Sequence, residues 1–337
     1  HLSHELLSVD VDHYIKLKRN NIKILSEIDE MDILLAKIMY DIKTNQNFGN
    51  KDGSLVKLIK KTHTKISKES HVVNSTVFKI KLFKMYSRLL LQERDYQSLE
   101  KFLIESYNEF GKDKLFDRSN HNEKLTLLTY LSNCLYKTKK YKQSLKYSEE
   151  LLSGMKEYDY FLHDKYLFYY YNILVLNYAK TDKKKALDYL NKASRSEVIK
   201  KLPSYNAFIY LNRSLIYYYE DNYKESQKNI ARLIMQEDFL LLDNSFQLKI
   251  LVTELMIRIS ISNKNLDNKF KDIKKNYKSL LEEENHLREK IMIGLLSKKV
   301  HNEDIVEDKK KLLDYMSDSD SEDIDIISYN SWIRNNL

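Results

Sequence analysis

Nine histidines, one cysteine and several runs of carboxylates are the side chains of this chain best suited to chemistry, and their spacing argues against each. His1, His4, His13, His63, His71, His121, His163, His286 and His301 contain no HExxH arrangement, the helical spacing that seats two imidazoles and a general base around one zinc ion. His1 and His4 could share a helix face, but they sit at a chain end, where fraying is expected. Cys134 is alone, which excludes an intramolecular disulfide and a cysteine zinc cluster, and reads as a buried helical thiol. Glu282, Glu283 and Glu284 lie in a charge run of the kind that coats a solvated helix. Gly49, Gly53, Gly111, Gly154 and Gly294 are the only glycines, too few for a Walker loop, a dinucleotide fingerprint or a GxSxG elbow. The expectation is no catalytic residue, no metal site, no cofactor, and a protein that is not an enzyme.

Charge offers a second kind of chemistry. The formal charge is +8, and six acids lie from Asp314 onward against Arg334 alone, leaving +13 on residues 1–313. A positive body of this size fits a nucleic-acid partner, because each neutralised phosphate releases counterions. Only ten of the 57 bases are Arg, the residue whose planar fork suits phosphates and guanine edges, and the Lys residues are scattered. Most of the charge therefore reads as solvated helix surface, with nucleic-acid binding kept as an alternative. The longest apolar stretch, Tyr166 to Ala179, is short for a membrane span and is interrupted by Asn172 and Asn177. No signal-peptide pattern opens the chain, so a cytoplasmic location is expected, although the missing initiator Met leaves room for upstream residues. The sequence assigns no oligomeric state.

The elements that would position any site are helices. One Pro and five Gly among 337 residues suit long helices far better than sheets joined by tight turns. Ile15, Ile22, Leu25, Ile28, Met31, Leu35, Ile38 and Ile42 recur at helical spacing and predict one long or two short helices over residues 11–43. Asn45 to Gly53 is turn-like, and Ser54 caps an expected helix with Leu55, Leu58 and Ile59 that ends near Ser70. Further amphipathic helices are expected at Glu282–Ser297 and Glu307–Met316, acting as caps. Ser317 to Asp325 reads as an acidic linker. The apolar run Ile326 to Ile333, which holds the only Trp, is expected to dock back on the body, with binding of a partner as a short motif as the alternative.

From about residue 75 the sequence repeats. Asp95-Tyr96-Gln97-Ser98-Leu99, Lys140-Tyr141-Lys142-Gln143-Ser144, Asp182-Lys183-Lys184-Lys185-Ala186 and Asn222-Tyr223-Lys224-Glu225-Ser226 open successive helices alike, with a fainter copy at Asn265 to Lys269. Their last residues stand at 99, 144, 186, 226 and 269, spaced by 45, 42, 40 and 43. Twelve residues before each clear marker lie Ser87, Ser132, Leu174 and Ser214, and seven residues after it lie Ser106, Leu151, Ala193 and Leu233. Small side chains at such places let two antiparallel helices pack closely.

These units resemble tetratricopeptide repeats, with a period longer than the usual value of about 34 and without the helix-ending Pro. The resemblance implies an all-α fold: a right-handed α-solenoid of antiparallel helix pairs, four to five repeats flanked by N-terminal helices and C-terminal caps. The expected divisions are residues 1–74, 75–281, 282–316 and 317–337. It further implies that the first helix of each pair lines a groove, which brings Lys84, Arg88, Thr129, Asn133, Lys137, Asn172, Lys180, Asn212, Tyr218 and Tyr219 to one surface. Asn side chains can pair with the amides of an extended peptide, and Lys84 with Arg88 could hold a carboxylate. Tyr169-Tyr170-Tyr171 and Tyr217-Tyr218-Tyr219 must each spread around a helix, so at least one Tyr of each is expected to be exposed or bonded through its hydroxyl. The function implied is a non-enzymatic scaffold binding a protein or peptide, with a peptide-sensing regulatory receptor and a nucleic-acid binder as alternatives.

Overall fold

A computed structural model describes residues 10–44, 76–92, 94–261, 266–317 and 325–337, and every regular element among them is helical. The expected helix at 54–70, the turn at 45–53 and most of the acidic linker lie outside the described residues. The chain forms two compact units, residues 1–163 and 164–337.

In the first unit, α1 (Val11–Thr44) is a single helix, so the periodicity of residues 11–43 belongs to one element. It lies along α2 (Thr76–Gln92), which pairs with α3 (Tyr96–Lys112); α4 (His121–Lys137) then pairs with α5 (Tyr141–Met155). Phe83, Leu90, Leu99, Leu103, Phe110, Leu127, Leu131 and Leu135 make one apolar cluster across α2, α3 and α4. Gly154 marks the closest approach of α5 to α4: a Cβ there would meet Leu125 Cδ2 at 2.8 Å.

The second unit opens with α6 (His163–Thr181) and α7 (Lys183–Ser194), followed by α8 (Asn212–Tyr218) and α9 (Tyr223–Ile234), then α10 (Asn244–Ser260) and α11 (Asp267–Asn276). A π-helical turn, Ala207–Leu211, leads into α8. The chain closes with α12 (Leu287–Val300), α13 (Val306–Ser317) and α14 (Tyr329–Asn336). Helix α12 begins five residues later than the pattern at Glu282 predicts, because Glu283 is extended (ψ 141°) and a 3-10 turn, Glu284–His286, intervenes.

The recurring five-residue motif is the start of the second helix in each pair. Asp95, Asp182 and Asn222 are its N-caps, their side chains accepting the amides of Ser98 (3.0 Å), Lys185 (3.1 Å) and Glu225 (3.4 Å). Lys140 occupies the same place without a side-chain cap. Just before three of these caps, Arg94, Lys139 and Asp221 adopt φ of 55°, 62° and 57°. The next amide bonds back five residues along the chain, from Asp95 to Leu90, Lys140 to Leu135 and Asn222 to Tyr217, ending each first helix in the same left-handed turn. The fifth copy is shifted by one residue: Leu266 is the cap of α11, so the equivalent marker is the buried Phe270, and Lys269 instead pairs with Glu254 at 2.8 Å.

Three of the four markers lie on helices that pack against their pair partners, α2 with α3, α4 with α5 and α8 with α9. Leu99, Ser144, Ala186 and Ser226 are completely buried, as are Ser87, Ser132 and Ser214 twelve residues earlier. Ser144 Oγ donates to the Ser132 carbonyl at 2.7 Å. Ser214 and Ser226 exchange bonds, each Oγ donating to the other's carbonyl at 2.9 and 2.8 Å. Only small side chains permit a backbone approach this close.

The apolar C-terminal run is part of the core of the second unit. Ile327, Tyr329, Trp332 and Ile333 are all buried, in a cluster with residues of α10 and α12. Trp332 Nε1 donates to Ser260 Oγ at 3.2 Å, which satisfies the one polar atom of the indole.

Candidate functional site

The ten residues expected to line a groove divide between the two units, and in each some are brought together. In the first unit, Lys84 and Arg88 lie on α2, and Thr129, Asn133 and Lys137 on α4. Lys84 is partly exposed, and its ammonium sits 2.6 Å from Glu123 of α4. The carboxylate that this lysine holds therefore belongs to the chain itself. Thr129 is buried, its hydroxyl donating to the Leu125 carbonyl at 2.8 Å, and it lines no surface. Asn133 is half-buried; Lys137, also half-buried, lies over the Tyr96 ring at 5.9 Å.

In the second unit three of the five candidates form one corner. Lys180, at the end of α6, stands 5.1 Å from the centre of the Tyr219 ring, and Tyr219 packs edge-on against Tyr218 at 5.3 Å. Tyr223 adds a third ring 5.5 Å from Tyr218, and the Lys183 ammonium bonds the Tyr219 carbonyl. Tyr219 is 45 % exposed while Tyr218 is half-buried, and burial pushes both phenols up, keeping them protonated donors. Asn212 is turned inward, its amide donating to the Phe208 carbonyl at 2.7 Å, and Asn172 is half-buried on α6. The other Tyr triplet also opens at one residue, Tyr169, at 43 % exposure. An exposed ring with a cation over its face and a phenol beside it can accept an apolar or aromatic side chain together with a hydrogen-bond acceptor.

Sequence reasoning missed a buried polar network in the second unit. Glu254, 2 % exposed, accepts from Arg258 Nε and Lys269 Nζ, both at 2.8 Å. Burial alone would raise the Glu289 carboxyl, yet His286 at 3.8 Å and Lys249 at 4.0 Å leave it below its ordinary value. Arg288 binds Asp325 at 2.7 Å and lies over the Tyr329 ring; burial pushes the Asp325 carboxyl up to about 6 against the pull of that guanidinium. The i,i+4 step from Glu254 to Arg258 was visible in the sequence, whereas the Arg288 to Asp325 pair spans the acidic linker and left no signal. These charges face one another inside the core, where they tie α10, α11, α12 and the C-terminal segment together.

A local arrangement of a different kind closes the first unit. Tyr158, Asp159 and Tyr160 are three consecutive residues with φ of 53°, 57° and 61°, a left-handed turn without glycine, which costs about 1–2 kcal/mol per residue. The turn is held by Lys124 bonding Glu157 at 2.6 Å and by the buried His121 ring packed edge-on to Tyr158 at 4.8 Å. Burial lowers the His121 pKa below 6.5, with Glu157 opposing. The folded chain thus refuses a proton that the unfolded chain takes, so stability present above about pH 6.5 is lost as the pH falls. Urea midpoints at about pH 7 and pH 5 should show this fall in the wild type and a smaller one in His121→Phe. An equal fall in both would remove His121 as its source.

Cys134 is buried, its thiol donating to the Tyr96 carbonyl at 3.1 Å, and burial pushes the thiol up to about 12. A cavity of about 210 Å³ lined by Lys274, Lys278, Leu281, Glu282, Lys290 and Ile293 is smaller than a pocket for a drug-sized ligand, roughly 300 Å³ or more. Among the described residues no group of three or more His, Cys, Asp or Glu could hold a metal ion, and no helix is long and apolar enough to cross a membrane. No protein-family model and no curated protein sequence matches this chain.

Proposed function

We propose that this chain is a non-enzymatic scaffold of the tetratricopeptide-like kind, its helix pairs stacked as an α-solenoid, and that it binds a peptide or an extended segment of a protein. The observation that carries this reading is the recurrence of one helix pair, with the same left-handed turn before the caps at Asp95, Lys140 and Asn222 and the same buried crossing at the markers. A unit repeated in this way serves to extend a surface, and extended surfaces suit extended ligands. The corner of Lys180, Tyr218 and Tyr219 is the part of the groove best equipped for recognition, because aromatic and cationic anchors contribute most to binding where they cluster.

The test selects peptides from a random display library against the intact chain and measures binding of the selected sequences by fluorescence anisotropy. Tyr219→Ala and Lys180→Glu are expected each to weaken binding about 10-fold or more. Selected peptides that bind both variants as tightly as the wild type would move the site away from this corner. Failure to select any peptide, together with salt-dependent binding of a nucleic acid, would replace the reading with that of a nucleic-acid binder.

A further inference from the structure

Helix α1 carries an apolar surface that the described residues of its own unit do not cover. Ile24 and Ile28 are half-buried toward α2, and Asp32 on the same side bonds Lys81 of α2. Roughly 110° around the helix, at about 100° per residue, runs a second stripe at steps of three and four: Val11, Ile15, Lys18, Ile22, Leu25, Asp29, Ile33, Ala36 and Tyr40. All nine side chains are exposed, Ile22, Leu25 and Ile33 at 57, 58 and 58 %. Over residues 11–23 no side chain is even half-buried, although an isolated helix of this length is marginal in water.

We propose that the stripe is the surface through which two copies of this chain associate, with their α1 helices antiparallel about a two-fold axis between residues 23 and 24. The argument is self-complementarity. With that axis, Ile22 of each copy opposes Leu25 of the other, Val11 opposes Ala36, and Ile15 lies one residue out of step with Ile33. Lys18 and Asp29, the two charged members of the stripe, then meet each other, once on either side of the axis. A parallel pair in register would instead set Lys18 against Lys18 and Asp29 against Asp29.

The order of charges along α1 obeys the same rule, with Arg19 and Glu30 beside the stripe and Lys16, Lys23 and Glu27 farther around the helix. Residues 16–23 hold Lys16, Lys18, Arg19 and Lys23 with no acid, and residues 27–32 hold Glu27, Asp29, Glu30 and Asp32 with no base. Antiparallel pairing lays each block along its opposite. One helix surface that is apolar in the middle and oppositely charged on its two sides suits an isologous dimer, in which the same patch serves both partners. The two polar positions within the stripe fix register and direction, as buried polar positions do in coiled coils. This association is independent of the peptide-binding reading, since α1 carries none of the groove residues.

Sedimentation equilibrium of the full chain over a wide concentration range tests the proposal. The wild type is expected to dimerise. Lys18→Glu sets one carboxylate against Asp29 on each side of the axis, and Asp29→Lys sets one ammonium against Lys18 on each side; each is expected to raise the dimer dissociation constant by at least about 10-fold. The charge swap Lys18→Glu with Asp29→Lys is expected to restore it. Because both residues are exposed, far-UV circular dichroism should differ among the four proteins by no more than the helix of residues 11–23, which separates lost association from lost folding. A wild type that is monomeric at every concentration overturns the proposal, including the case where α1 instead binds a different protein. So does a dimer that neither single reversal weakens, or one that the swap fails to rescue, because either outcome places Lys18 and Asp29 apart.

Discussion

Replacing Trp332 with Ala should destabilise the second unit by about 3–5 kcal/mol, the range for removing a large aromatic side chain from a packed core. The indole is 1 % exposed and stands among Ile327, Tyr329 and Ile333, which are buried with it in the cluster shared by α10 and α12. Its Nε1 bond to Ser260 is lost in the same step, and Ser260 also approaches Asn336, so the end of α14 loses a second tie. The other end of the segment is held by the Arg288 to Asp325 pair, and the Tyr329 amide donates to Asp325 within it. Urea unfolding followed by tryptophan-independent far-UV signal reads the change. A loss under about 1 kcal/mol would mean that the segment covers the core without holding it.

What the sequence exposed of this fold follows from how local each cause is. The caps at Asp95, Asp182 and Asn222 and the crossing residues twelve positions earlier are set by one turn and two adjoining helices, and spacing alone located them. The fifth copy slipped by one residue because Leu266 cannot cap through its side chain, so no polar letter marked the start of α11. The C-terminal apolar run betrayed itself by composition. The left-handed turn at Tyr158 to Tyr160 contains no Gly or Asn to announce it, and it is imposed by contacts from α4 rather than by its own residues. Among the groove residues, a helical register places side chains around an axis but says little about what they meet. Lys84 already holds Glu123, Thr129 and Asn212 bond their own helix backbone, and only in the Lys180, Tyr218 and Tyr219 corner do neighbouring candidates combine into one exposed feature.

The crossing of α8 and α9 supports the second large effect. Ser214 and Ser226 are completely buried, their hydroxyl oxygens lie 3.1 Å apart, and each hydroxyl reaches the backbone carbonyl of the other helix. That geometry sets the distance between the two backbones, and the surrounding Ile216, Ile230 and Leu233 are buried at that distance. Ser226→Leu removes one bond and inserts a branched side chain where no space remains. Overpacking of about 1–3 kcal/mol and a lost buried hydrogen bond of about 1 kcal/mol give an expected cost near 3 kcal/mol. Ser226→Ala keeps the space and loses the bond, so about 1 kcal/mol is expected of it. The pair of variants is informative because the α2 and α3 pair already holds a buried Leu99 in the marker position, with Ser87 twelve residues before it. Each pair therefore keeps at least one small member. If chemical denaturation shows Ser226→Leu to cost no more than Ser226→Ala, the α8 and α9 pair can adopt the wider spacing of a Leu and Ser crossing, and the reciprocal serine bonds do not set the helix separation. A cost several times larger for Leu means that they do, and that the two serines fix how closely this pair of helices can pack.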